Sequence, residues 1–208
     1  MSASHGVVPD RAARAARGGL APVARRISAL GISANAVTAL GVLLTLAGAV
    51  LVAVQRPAEA LALLALGSLA DTLDGAVARA AGGGSPLGAF FDSTVDRLAD
   101  AALFGAAAWV GMSRGDGVLF WASLVALCSS FFVSYVRAKG ESLGVAATVG
   151  PAPREARLVI LLIGLAAWAL TGSLPLFVAA VAAVAVLATI TLLQRATVVA
   201  RALGRASR

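Results

Sequence analysis

The chain has 208 residues, 60% of them hydrophobic and only 13% charged, with a mean hydropathy of +0.91 and a formal net charge of +7. Soluble domains carry about 25% charged residues, so this composition excludes an ordinary soluble globular protein. The excess of 17 Lys and Arg over 10 Asp and Glu is read against lipid headgroups and membrane topology, and no nucleic-acid partner is expected.

Residues 1–10 read as a disordered polar tail holding the single His, His5, and no early apolar core marks a cleavable leader. Residues 11–30 predict an amphipathic juxtamembrane helix, with Arg11, Arg14, Arg17, Arg25 and Arg26 alternating with Ala, Leu, Val and Ile. Such a helix can lie in the headgroup plane of an anionic leaflet.

Residues 31–200 predict a six-helix transmembrane domain, and residues 201–208 a basic cytoplasmic tail. The expected spans are 34–54, 57–80, 87–111, 117–139, 155–172 and 174–194, each near the length needed to cross a hydrocarbon core roughly 30 Å thick. Gln55-Arg56-Pro57, Gly82 to Pro86, Arg114 to Gly117, Gly140 to Pro153 and Thr171-Gly172-Ser173 supply the breaks. Ser85 before Pro86 is an N-cap followed by a proline at the first helical position. The fold class is therefore an all-α membrane protein, one juxtamembrane helix plus six transmembrane helices. Cys128, the sole Cys, lies in an apolar run and is expected to be buried. Trp109, Trp121 and Trp168 near span ends are expected to be interfacial anchors.

Charge sets the orientation. With the N-terminus in the cytoplasm, all 17 basic residues except Arg56 and Arg114 fall on the inner side. The positive-inside rule then predicts a multi-pass protein of the cell's inner (plasma) membrane with both termini cytoplasmic.

Acidic residues inside spans cost a few kcal/mol each and mark function. Asp71 and Asp74 lie late in the second span, and Asp92 and Asp96 early in the third, with Asp100 a turn further. Spacings of i, i+3 and i, i+4 put each pair on one helix face, and the short link between the spans makes an antiparallel hairpin. Four carboxylates in one small space need either protonation or hard divalent cations. Two cations could clamp a pyrophosphate. Gly75, Ala78 and Gly88 open space beside the carboxylates, and Arg79 can reach a phosphate or nucleotide. Small residues also serve simple helix packing in membranes. Their placement around four Asp favours a site.

Written out, Asp71-x2-Asp74-Gly75-x2-Ala78-Arg79-x8-Gly88-x3-Asp92-x3-Asp96 resembles the signature of the CDP-alcohol phosphotransferase family at all eight fixed positions. The resemblance implies attack of an acceptor hydroxyl on the β-phosphorus of a CDP-linked donor, commonly CDP-diacylglycerol, with CMP leaving. It implies Mg²⁺ or Mn²⁺, two ions, on Asp71, Asp74, Asp92 and Asp96, with Asp96 also the general base. Gly75, Ala78, Arg79, Ser85 and Gly88 become donor-binding positions. So do Asn35 and Thr38, where Ala34 replaces the family's usual Pro. A homodimer is implied by the resemblance alone.

The acceptor is read from the second half. Arg137 near the end of span four, Arg157 early in span five and Arg195 at the end of span six share the expected inner level. Three cations suggest an acceptor that carries a phosphate. The segment Ser134-Tyr135-Val136-Arg137-Ala138-Lys139 resembles the bacterial phosphatidylinositol-phosphate synthase group, which implies inositol 1-phosphate as acceptor. Pro153 and Ala156 depart from that group's usual Glu. The alternatives are a phosphatidylglycerophosphate synthase or another CDP-alcohol phosphotransferase within the class, and an ion-pathway membrane protein outside it.

Overall fold

The computed structural model describes residues 21–206, all-α among those residues. Helix α1 covers residues 21–29. It is followed by α2 (Ala34–Ala53), α3 (Pro57–Ala80), α4 (Pro86–Arg114), α5 (Gly117–Ser142), α6 (Arg154–Thr171) and α7 (Leu174–Ala206). The expected tail 1–10 and the first half of the expected helix 11–30 lie outside the described residues.

Four stretches are long and apolar enough to cross a membrane: Ala34–Ala53, Pro57–Ala80, Gly117–Ser142 and Leu174–Arg205. The expected six spans are thus matched by four on length and composition. Helix α4 carries Asp92, Asp96, Arg97 and Asp100, and the 18 residues of α6 include Arg154, Glu155 and Arg157. Those charges lower the hydropathy of two helices that hold candidate site residues.

The chain forms two compact units. One holds the described residues up to Leu51 together with Glu59–Leu103, and the other Val52–Ala58 and the chain from Phe104 onward.

In the first unit, α2 and α3 meet along a seam of small residues. A Cβ on Gly67 would stand 2.5 Å from Thr45 Oγ1 and 3.0 Å from the Gly41 carbonyl oxygen, and one on Gly48 2.8 Å from Leu64. Only glycine allows this approach, the usual route to tight helix contact in membranes. Helix α3 ends in a Schellman turn: Gly83 N–H bonds the Ala78 carbonyl at 3.0 Å and Gly82 N–H that of Arg79 at 3.3 Å. Gly82 takes φ +99°, a backbone conformation that side chains rarely adopt. Ser85 Oγ then accepts from Gly88 N–H at 3.0 Å, capping α4 as expected from its place before Pro86.

Helix α1 buries Ala24 in a cluster with Val37, Ala70, Ala76 and Val77, and Ile27 packs against it. Arg25 and Arg26 stay exposed. The described part of the amphipathic helix therefore has a protein surface under its apolar side.

In the second unit α7 packs against both α5 and α6. A Cβ on Gly164 would come within 2.3 Å of Ala180 Cβ, so α6 and α7 touch backbone to side chain. Ser129 and Thr189 hydroxyls hydrogen-bond between α5 and α7 at 2.9 Å. Gln55 Oε1 accepts from Arg114 Nε at 2.6 Å.

Four sequence expectations change. Trp168 is buried and stacks on Phe177 with ring centroids 5.5 Å apart, because its face of α6 meets α7. Trp109 and Trp121 are exposed. Cys128 is exposed because its face of α5 is turned from the core. Gly140 lies inside α5 and opens no loop. A Cβ there would meet Val199 at 2.9 Å and the Val145 carbonyl at 3.0 Å, so its small size serves packing. Helix α7 continues a dozen residues past the expected end of the sixth span, because charge at Arg195 ends an apolar run without breaking a helix of Ala, Arg and Leu.

Candidate active site

The α2–α3 seam sets the register that builds the site. Thr38 lies one turn before Gly41 on α2, and Asp74 lies one turn after Ala70 on α3. The antiparallel contact of Gly41 with Gly67 and Ala70 brings the two together. Thr38 Oγ1 donates to Asp74 Oδ2 at 2.5 Å, and both residues are buried.

One carboxylate oxygen from each of Asp71, Asp74 and Asp92 lies within 4.8 Å of the others. The α3–α4 hairpin produces this convergence, with Asp71 and Asp74 from one arm and Asp92 from the other. Asp71 and Asp92 both act electrostatically on Asp74. Three carboxylates at that spacing repel one another, and an all-oxygen donor set suits a hard divalent cation. The residues therefore fit the metal expected of them.

Asp96, expected as a fourth ligand, stands outside this group, one turn along α4. Its Oδ2 lies 4.0 Å from Arg97 Nη1, and its side chain is 17% exposed. Asp100 follows on the same helix, half-buried.

The donor-binding candidates gather in the same unit. A Cβ on Gly75 would stand 3.4 Å from Arg79 Nη1, so the arginine folds back over the glycine beside Asp74. Ala78 is half-buried and Arg79 exposed. A Cβ on Gly88 would meet Asn35 Oδ1 and Ser85 Oγ, each at 3.2 Å, so Gly88 keeps these two polar groups together. Thr38, the remaining candidate, directs its hydroxyl proton to the Asp74 carboxylate.

The second unit gathers the three candidate acceptor cations. Arg137 and Arg157 are near enough to Arg195 to repel it, with Glu141 and Glu155 offsetting them. Arg157 and Arg195 are buried, at 3% and 6% exposure, while Arg137 is exposed. Arg195 Nε donates to the Val149 carbonyl at 2.9 Å and Nη1 to that of Val133 at 3.2 Å. Arg157 Nη1 donates to the Ala152 carbonyl at 3.0 Å. Arg137 Nε pairs with Glu141 at 2.9 Å. A set of donors with an anion-sized charge excess can hold a phosphate.

Sequence reading missed what holds that loop. Thr191 Oγ1 accepts from Ala152 N–H at 3.0 Å, and Gly150, at φ +118°, has no room for a Cβ against Thr191. Gly150-Pro151 was the available signal, but a turn dipeptide does not name its partner on α7.

The family model for CDP-alcohol phosphatidyltransferase matches residues 31–193. A phosphatidylinositol phosphate synthase of Mycobacterium marinum is 37% identical over 69% of this chain and 62% of its own length. An archaetidylinositol phosphate synthase of Methanothermobacter thermautotrophicus is 38% identical over 84% of this chain and 85% of its own. The crystal structure of the Mycobacterium tuberculosis phosphatidylinositol phosphate synthase with CDP-DAG bound superposes with a TM-score of 0.80 at 32% identity, covering 86% of this chain and 92% of that one. A second structure of the same enzyme contains manganese and citrate.

Proposed function

This chain belongs to the CDP-alcohol phosphatidyltransferase family, and on that premise we propose that it transfers the phosphatidyl group of CDP-diacylglycerol to inositol 1-phosphate, releasing CMP. The observation that carries the reading is the convergence of Asp71, Asp74 and Asp92 within 4.8 Å. Two divalent cations, Mg²⁺ or Mn²⁺, held there would neutralise the charge of the donor pyrophosphate.

The chain's own residues do the rest. Gly75, Ala78 and Gly88 leave room for the donor, and Asn35, Arg79 and Ser85 contact it. Asp96 takes the proton of the acceptor hydroxyl, whose oxygen bonds the β-phosphorus as the bond to CMP breaks. A carboxylate is a weak base, so its contribution is alignment of the hydroxyl more than basicity. Arg137, Arg157 and Arg195 hold the acceptor phosphate, a reading supported by their mutual proximity in the second unit. The protein works as a homodimer in the inner (plasma) membrane, with six spans and with both termini and the active site cytoplasmic.

The test is CMP release by purified protein with CDP-diacylglycerol and Mg²⁺ or Mn²⁺, comparing inositol 1-phosphate, glycerol 3-phosphate and free inositol at equal concentration. Inositol 1-phosphate should be preferred. Preference for glycerol 3-phosphate would move the enzyme to phosphatidylglycerophosphate synthesis with its metal chemistry intact. Preference for free inositol would remove the role of the three arginines.

A further inference from the structure

Thr38 is one of eight polar or charged residues buried in the described chain, and its hydroxyl faces another of them, Asp74. The hydroxyl has two acceptors within reach, the Ala34 carbonyl at 3.1 Å and Asp74 Oδ2 at 2.5 Å. One proton serves one of them well. The carboxylate bond has the length of a charge-assisted O–H···O⁻ contact, and the carbonyl one turn back is the weaker alternative.

An Asp side chain carrying a ligand oxygen has two soft torsions. Its own helix offers it the neighbouring Gly75 backbone, and that one local contact does not fix which way the carboxylate plane turns. A short bond from a β-branched residue on a neighbouring helix does, because χ1 of threonine in a helix is itself restricted. The α2–α3 seam adds rigidity, since Gly41 and Ala70, each one turn away, hold the two helices in contact.

From this geometry we infer that Thr38 is a positioning residue: it orients the Asp74 carboxylate for the divalent cation and does not contact the donor. The role deepens the metal-dependent reading proposed above and rests on it. Partners that orient ligating carboxylates typically change metal affinity by about 10- to 100-fold when removed.

The test is Mn²⁺ binding to the purified full-length protein, without donor or acceptor, followed by the loss of the free-ion electron paramagnetic resonance signal. Thr38→Val should weaken Mn²⁺ binding by about tenfold or more. Thr38→Ser, which keeps the hydroxyl, should bind within about twofold of the parent. In an Asp74→Asn background, Thr38→Val should cost almost nothing further, because the oriented group is gone. Unchanged Mn²⁺ affinity in Thr38→Val, with a raised KM for CDP-diacylglycerol, would make Thr38 a donor contact and overturn the inference. Equal loss in the Val and Ser variants would overturn it too. If Thr38→Val fails to fold, the Ser variant and the Asp74→Asn pair with Thr38→Ala decide by the same additivity criterion. Failure of the parent protein itself to bind Mn²⁺ would instead sink the metal reading, a distinct result.

Discussion

Asp71, Asp74 and Asp92 come from two helices and converge within 4.8 Å; on the proposed reading they serve as one donor set, so removing any one should cost more than a single surface charge would. Asp92→Asn should lower the rate of CMP release by about 100-fold or more, since several kcal/mol of charge stabilisation are at stake and about 1.4 kcal/mol is tenfold. Chelation of divalent ions should abolish turnover in the parent, and added Mg²⁺ or Mn²⁺ should restore it. Asp100→Asn, a turn beyond the motif, should lose less than tenfold. Near-normal turnover in a folded Asp92→Asn protein would end the metal reading. The arginines divide differently. Arg137 is exposed and, among the described residues, pairs with exposed Glu141, a contact worth about 1 kcal/mol at most. Arg137→Ala should therefore raise the KM for the acceptor with almost no change in Tm. Arg195 is buried on two backbone carbonyls. Arg195→Ala strands those acceptors and should lower both acceptor affinity and Tm, at a cost of about 1–3 kcal/mol in stability for each group left unsatisfied. Equal thermal stability of the two variants would contradict that difference in burial.

At the scale of elements, glycine positions separate contact from convenience. Gly164→Ala would place a Cβ 2.3 Å from Ala180 Cβ and force α6 and α7 apart. Overpacking of this kind costs about 1–3 kcal/mol. Gly105→Ala in α4 meets nothing within 4 Å and should leave Tm unchanged or raise it. A thermal melt of both variants in one detergent is sufficient, and equal Tm values would refute the close α6–α7 packing. The same contrast explains what was legible in the sequence. Pro57, Pro86, Asp116-Gly117 and Gly172 mark helix ends because breaking a helix is a local act of one or two residues. The Asp motif was legible because carboxylates in an apolar segment are costly wherever the helix packs. Partners across the fold were not. Thr38 and Asp74 are 36 residues apart, and nothing local in either says that a hydroxyl will meet a carboxylate. Trp168 reads as an anchor from its place near a helix end, yet the face it occupies is decided by Phe177 of the next helix. Gly140 looks like a loop and is a contact, since a glycine's sequence signal is the same for both.

For the whole molecule, the distribution of charge predicts orientation. With Cys128 replaced, a single Cys at position 115 should react with an impermeant thiol reagent in intact cells, and one at position 3 only after the membrane is opened. Labelling at position 3 with none at 115 would invert the assignment and place the carboxylates on the outer side. Four helices are long and apolar enough to cross a membrane alone; on the proposed six-span reading, α4 and α6 would be the two whose insertion depends on neighbours, since charges lower the transfer free energy available to each.

The burial of Trp168 against Phe177 has a spectroscopic consequence. All three tryptophans, and the only tyrosine, Tyr135, belong to the second unit, and the Asp cluster to the first. Trp109 and Trp121 are exposed and should be open to a quencher dissolved in surrounding lipid, whereas Trp168 is shielded by α7. A Trp109→Phe, Trp121→Phe protein should keep a blue-shifted emission that brominated lipids barely dim, and it should lose that emission only when α6 and α7 separate. Strong bromine quenching at low temperature would mean that the indole faces lipid after all.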